Sequence, residues 1–306
     1  MSASGSTRAI IAALAANAGI AVAKFVGFLI TQSSSMLAES VHSLADTSNQ
    51  ALLLFGQRQA RKQATSLHQF GYGRSRFFYS FVVALVLFSL GAVFAIYEGI
   101  HKIQHPEPLR SAVVAIVILV VAMGLEGYSF RTAMRESKPL KGSGSWWQFI
   151  RRSRNPELPV VLLEDSGALI GLSFALIGVG LTMLTGDPVW DGVGTLLIGI
   201  LLGVIAVVLM VEMKSLLIGE SATGAELAAI QSALERTEHV DRVIHLRTQY
   251  LGPEEILVGA KIALGASDDL ATVAAAIDRA EAAVREAVPA ALIIYLEPDL
   301  DRNPTR

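Results

Sequence analysis

The stretch Ser35-Met36-Leu37-Ala38-Glu39-Ser40-Val41-His42-Ser43-Leu44-Ala45-Asp46-Thr47-Ser48-Asn49-Gln50 opens an apolar run from 35 to 57. Its reading depends on its neighbours. A bilayer core of about 30 Å takes about 20 mostly apolar helical residues, and six such stretches precede a change in composition. They lie at 9–31, 35–57, 75–101, 109–131, 157–184 and 188–213. The first is too long and too polar-flanked for a cleavable signal peptide and is kept as a span. The whole composition agrees: of 306 residues, 52% are hydrophobic and 17% charged, against about 25% charged in a soluble domain. With a mean hydropathy of +0.50, a soluble enzyme or a soluble helical bundle is set aside.

The net charge of −2 supplies no overall basic field, so a nucleic-acid partner is not expected. The chain has no cysteine, which excludes disulfides, thiolate-bound zinc and iron–sulfur clusters and leaves metal chemistry to oxygen and nitrogen ligands. Lys and Arg crowd two connections: Arg58, Arg61, Lys62, Arg74 and Arg76 before the third span, and Arg131, Arg135, Lys138, Lys141, Arg151, Arg152 and Arg154 before the fifth. The connections 31–35 and 185–187 carry no basic residue. Positive charge collects on the cytoplasmic side, so both termini are expected there, in a bacterial inner membrane. Trp146, Trp147, Phe149 and Ile150 beside Arg151 and Arg152 read either as an interfacial anchor to membrane lipid or as a disordered linker.

After Lys214 the chain turns polar. From about 222 the pattern reads helix 225–236, strands 240–250 and 254–264 around Leu251-Gly252-Pro253, helix 268–287 and a strand over 291–296. Val243, His245, Arg247 and Gln249 alternate as one face of the first strand. The fold class is therefore an α-helical membrane protein with six transmembrane helices (1–214) and a C-terminal cytoplasmic ferredoxin-like α/β domain (215–306).

Ionisable side chains in hydrocarbon cost at least about 2.5–3.5 kcal/mol each, so each is a functional candidate. In the quoted stretch His42 and Asp46 are four residues apart and stack on one helical face, with Glu39 and Asn49 three residues outside them on nearly the same face. An imidazole and a carboxylate so placed hold one divalent ion if another helix completes the shell, and the fifth span carries Glu164 and Asp165. Adjacent residues point about 100° apart on a helix. Asp165 is therefore the preferred ligand, and Glu164 is a fourth ligand, a partner of His42 or a proton acceptor. The competing reading of His42 and Asp46 is a hydrogen-bonded pair joining helices. Glu98 and Glu126 lie near span ends, while Asp187 and Asp191 are read as helix-start residues around Pro188.

The chain resembles the cation diffusion facilitator family of divalent-metal transporters. The likeness rests on the six spans, on Ser35 to Asp46, on His68-Gln69-Phe70-Gly71-Tyr72-Gly73-Arg74 and on the ferredoxin-like tail. His42 to Gln50 and Leu162-Leu163-Glu164-Asp165-Ser166 are similar to the branch of the animal mitochondrial zinc transporter. The resemblance implies a homodimer that exports Zn²⁺ from the cytoplasm in exchange for protons, with metal as cargo and no cofactor. It places transport ligands at His42, Asp46 and Asp165, and a fourth at Val161, which cannot ligate; Glu164, Asn49, Glu39 or water then completes the shell. One imidazole among carboxylates is a harder set that suits Mn²⁺ or Fe²⁺ better than a His-rich site would, so an exporter of those ions is the first alternative. A non-transporting membrane metal sensor or adaptor is the second.

Secondary metal positions of the family are thinned here. His68 keeps one in the loop, where Tyr72 and Thr65 replace other ligand types, and His245 and Glu297 are scattered candidates in the tail. His101, His105 and His239 are read as solvated histidines without ligating partners.

Overall fold

A computed structural model describes residues 3–265 and 269–300. Helices α1 (Ala3–Thr31) and α2 (Ser34–Ala60) are followed by α3 (Ser75–Val86), a π-helical segment Leu87–Val93 and α4 (Phe94–Gln104), which together make one continuous span. Then come α5 (Ala112–Lys141), the short α6 (Trp146–Arg152), α7 (Glu157–Thr185) and α8 (Val189–Ile218). Ser75–Gln104, Ala112–Pro139, Glu157–Thr185 and Val189–Ile218 are long and apolar enough to cross a bilayer. Asn17–Thr31 is a shorter apolar stretch. Of the six expected spans, α2 is in neither group, because the polar residues quoted above lower its hydropathy; it is buried on the face that carries them.

The chain divides into two units, Met1–Arg58 with Phe77–Lys214 and Gln59–Arg76 with Ser215–Arg306. The helical unit packs Met36, Leu87, Leu119, Leu172, Leu202 and Leu209 into one core. Close helix contacts rest on small residues, as in other bilayer bundles: a Cβ at Gly99 of α4 would come within 2.6 Å of the Leu196 backbone nitrogen of α8.

One boundary differs from the sequence reading, and one segment that it left between an anchor and a linker is ordered. Helix α5 continues ten residues past 131, through Pro139, so the basic residues Arg131, Arg135, Lys138 and Lys141 are helical and not loop. The segment read as anchor or linker is a helix, α6, started by a reciprocal Ser145–Gln148 capping box. Phe149 packs inward with Ala133, Leu162 and Val161, while Trp147 is 53% exposed.

The second unit contains α9 (Gly224–Glu235), β1 (Val240–Gly252), β2 (Glu255–Leu264), α10 (Leu270–Ala287) and β3 (Ile293–Asp299). The expected start of the second helix, 268, lies outside the described residues. Strand order is β1-β2-β3, with β1–β2 antiparallel and β2–β3 parallel. A bulge between Val243 and His245 breaks the expected alternation. Val243 pairs with Ile262 and packs in the core, whereas His245, Arg247 and Gln249 pair with Lys261, Gly259 and Leu257 on the other face. The segment Gln59–Arg76 belongs to this unit: a Cβ at Gly73 would meet the Leu251 carbonyl and a Glu255 carboxylate oxygen at 2.7 Å.

Candidate metal-transport site

The N-terminus of α2 is held from another helix. Asp191 of α8 is fully buried and accepts hydrogen bonds from the backbone N–H of Ser34 at 2.7 Å and the Ser33 hydroxyl at 2.8 Å, with Ser34 Oγ and Ser35 N–H adding longer ones. The sequence reading of Asp191 as a cap for its own helix is therefore corrected. Its carboxylate satisfies the orphan N–H groups of α2 across the bundle. Asp187 does act locally, accepting from the Val189 N–H at 3.0 Å.

With that end fixed, α2 presents Glu39, His42, Asp46 and Asn49 at spacings of three and four, one stripe along the helix. Glu39 and Asn49 are fully buried and His42 is nearly so. His42 Nδ1 lies 3.5 Å from Asp46 Oδ1. That separation makes no hydrogen bond, and both imidazole nitrogens, Asp46 Oδ1, Asn49 Oδ1 and Glu39 Oε1 are buried without a partner among the described residues. Helix α7 brings Glu164 to the stripe, where its Oε1 accepts from Asn49 Nδ2 at 2.6 Å. Asp165 faces α5 and accepts from Ser129 Oγ at 3.0 Å. Asp46 nonetheless lies within electrostatic range of both Glu164 and Asp165. Among the described residues, no three His, Asp or Glu side chains converge closely enough to hold one ion together. The structure thus brings Asn49 and Glu164 into contact and keeps Asp165 one hydrogen bond aside.

Val161 sits in the apolar cluster with Phe149, Trp146 and Leu158. It is a packing position that seats α6. Glu126 of α5, read as a span-end residue, lies within electrostatic range of Asp46, His42, Lys24 and Glu39. Sequence reasoning also missed Lys24. This side chain is fully buried, 2.9 Å from Glu39 Oε2 and 2.8 Å from Ser43 Oγ. A lone lysine inside Ala21-Val22-Ala23-Lys24-Phe25-Val26-Gly27 was the available signal.

The secondary candidates are engaged elsewhere. The His68 ring lies 4.6 Å from that of Tyr72, in a turn where the His68 N–H donates to Thr65 Oγ1. Glu297 accepts from Lys261 at 3.0 Å, and Asp299 binds the same ammonium at 2.9 Å. His245 pairs in register with Lys261, so a fixed cation stands between the two tail candidates. His101 and His105, read as solvated, are exposed at the end of α4, their rings tilted by 30° with centroids 5.0 Å apart.

Residues 10–218 match the model of the cation efflux transmembrane domain. The chain belongs to the cation efflux family, whose members are membrane transporters and not enzymes. Among its relatives, it is 34% identical over 242 residues to the mitochondrial proton-coupled zinc antiporter of Xenopus laevis, covering 78% of this chain and 43% of that protein. Metal tolerance protein C4 of Arabidopsis thaliana is 30% identical over 261 residues, 84% of this chain and 57% of that one. Magnetosome protein MamM of Magnetospirillum gryphiswaldense is 28% identical over 241 residues, 75% and 68%. The chain spans less than half the length of the animal zinc antiporters it matches. The nickel form of a MamM C-terminal domain variant aligns with 26% of this chain and all of that one, at 22% identity and a TM-score of 0.25.

Proposed function

We propose that the protein exports a divalent metal ion, Zn²⁺ first, in exchange for protons, and that His42, Asp46, Asp165 and Glu164 carry the ion. The observation that carries this reading is the set of buried, unpartnered atoms on α2: both His42 nitrogens and Asp46 Oδ1. Leaving a polar group buried and unpaired costs about 1–3 kcal/mol, and a cation passing along the stripe relieves that cost. Glu164 and Asp165 are held by neutral donors, Asn49 and Ser129, which release or share a carboxylate at little electrostatic cost. The name of the frog relative, a proton-coupled zinc antiporter, agrees with this cargo and coupling.

The placement of Val161 in an apolar cluster supports the harder-ion alternative, Mn²⁺ or Fe²⁺, because the α7 contribution is then carboxylate only. The basic residues of the α2–α3 connection support a cytoplasmic position for it, and the packing of Gln59–Arg76 with Ser215–Arg306 in one unit supports the same side for the tail. The animal relatives are mitochondrial by name and give a bacterial inner membrane no support. The working form is a homodimer in lipid, as the family resemblance implies.

Transport into proteoliposomes with and without an imposed pH gradient, with Zn²⁺ and Mn²⁺ in competition, tests the proposal. Zn²⁺ accumulation driven by the gradient is the expected result. Metal binding without accumulation would make the protein a sensor, and gradient-independent flux would remove proton exchange.

A further inference from the structure

Lys24 is the one full positive charge that the described part of α1 places inside the bundle, and nothing in the proposed transport chemistry uses it. Its Nζ contacts Glu39 Oε2 at 2.9 Å and Ser43 Oγ at 2.8 Å, and both charged partners are fully buried. Glu39 lies on the stripe of α2 that continues through His42, Asp46 and Asn49. Its other oxygen, Oε1, has no partner among the described residues. That oxygen fills the space above Gly171 of α7, where an added Cβ would stand 2.7 Å from it. Helix α7 therefore carries no side chain at the one point where the Glu39 carboxylate reaches toward it. Lys24 also lies within electrostatic range of His42, Asp46 and Glu126.

These contacts make the ammonium a cation already bound to the ligand stripe by a tether. A carboxylate that neutralises a buried ammonium is a poor ligand for a second cation, since recruiting Glu39 would leave Lys24 unpaired in a dry interior. The same charge repels a divalent ion at His42 and Asp46, and in a low-dielectric site that repulsion is several times its strength in water. We propose that Lys24 is a built-in competitor of the transported metal: it withholds Glu39 from the coordination shell and weakens binding at His42 and Asp46, so that the ion is released during each cycle. Lys24 is a positioning residue in this scheme, acting through Glu39 and through its charge. The inference rests on the transport-site reading above.

Isothermal titration of the purified full-length chain in detergent with Zn²⁺ at one fixed pH tests it, with folding checked by size exclusion and thermal melting. Lys24→Met is expected to bind Zn²⁺ at least tenfold more tightly than wild type and to turn over more slowly in proteoliposomes. Glu39→Gln, which leaves the ammonium uncompensated, is expected to bind about tenfold more weakly. The double variant Lys24→Met/Glu39→Gln removes both charges and should return to within about threefold of wild type. A folded Lys24→Met variant with unchanged or weaker affinity overturns the inference. If Lys24→Met does not fold, the other two variants decide: a double variant as weak as Glu39→Gln makes Glu39 an ordinary ligand and overturns the proposal. Asp46→Ala in the same titration separates the two levels. Binding retained there, or absent from wild type, removes the site assignment and this inference with it; an unchanged Lys24→Met beside a silent Asp46→Ala removes only this inference.

Discussion

At the scale of single residues, His42 and Asp46 are defined by what they lack. A buried imidazole with both nitrogens unpartnered is rare in a protein at rest, because such groups are paired in the great majority of cases. Removing Asp46 takes away the carboxylate on the same helical face. Asp46→Ala should lower Zn²⁺ transport in proteoliposomes by more than the roughly 10–100-fold that loss of an outer-sphere partner costs; normal uptake would sink the assignment. Asp165→Ala is expected to do the same, whereas Glu164→Ala should impair transport more than Glu126→Ala, since only Glu164 makes a hydrogen bond to the α2 stripe. Exchanging the imidazole for a carboxylate, in His42→Asp, should move preference toward Mn²⁺ in competition assays. An unchanged preference would place selectivity in pocket shape.

At the scale of elements, α2 is a helix too polar to hold itself in a bilayer by hydropathy, and its position is set by its first turn and one buried face. Asp191 clamps the first turn, so Asp191→Ala removes a cap worth about 0.5–2 kcal/mol and leaves the donors of Ser33, Ser34 and Ser35 short of their acceptor. The full chain in detergent should melt at lower temperature, and transport should fall although no ligand is touched. A melting curve identical to wild type would show that the clamp adds nothing. Gly171 supports the same helix from the α7 side: Gly171→Ala intrudes on Glu39, and overpacking of this kind costs about 1–3 kcal/mol. Its α7 neighbours Glu164 and Asp165 were legible as carboxylates in an apolar run. Their separate partners, Asn49 and Ser129, were not, because adjacency in sequence says nothing about the rotation of α7 between α2 and α5.

At the scale of the whole molecule, metal and protons compete for one set of groups. Ligation needs a neutral imidazole and ionised carboxylates, and a free imidazole takes up its proton near about pH 6.5. Zn²⁺ affinity of the full chain should therefore fall as pH drops, and titrations in two buffers of different ionisation enthalpy should report protons released on binding; equal heats would remove the coupling. The tail should contribute to a dimer by packing and not by metal, since the Lys261 ammonium already pairs with both Glu297 and Asp299. Chelator should leave the oligomeric state of the full chain unchanged, and dissociation on chelation would contradict this.

What the sequence by itself determined is whatever follows from local periodicity and solvent. Six helical segments, the composition change after Lys214, the helix–strand–strand–helix–strand order and the His42–Asp46 face all follow from apolar repeats of 3.6 and 2 residues and from the cost of charge in hydrocarbon. Tertiary structure decided what depends on which faces meet. It paired Lys24 with Glu39, sent Asp191 to cap a helix more than 150 residues away in sequence, flipped Val243 inward through a bulge and turned Val161 into packing for α6. Each of these contacts joins residues distant in the chain, and helix rotation and strand register are fixed by the packing of the whole, which no local pattern encodes.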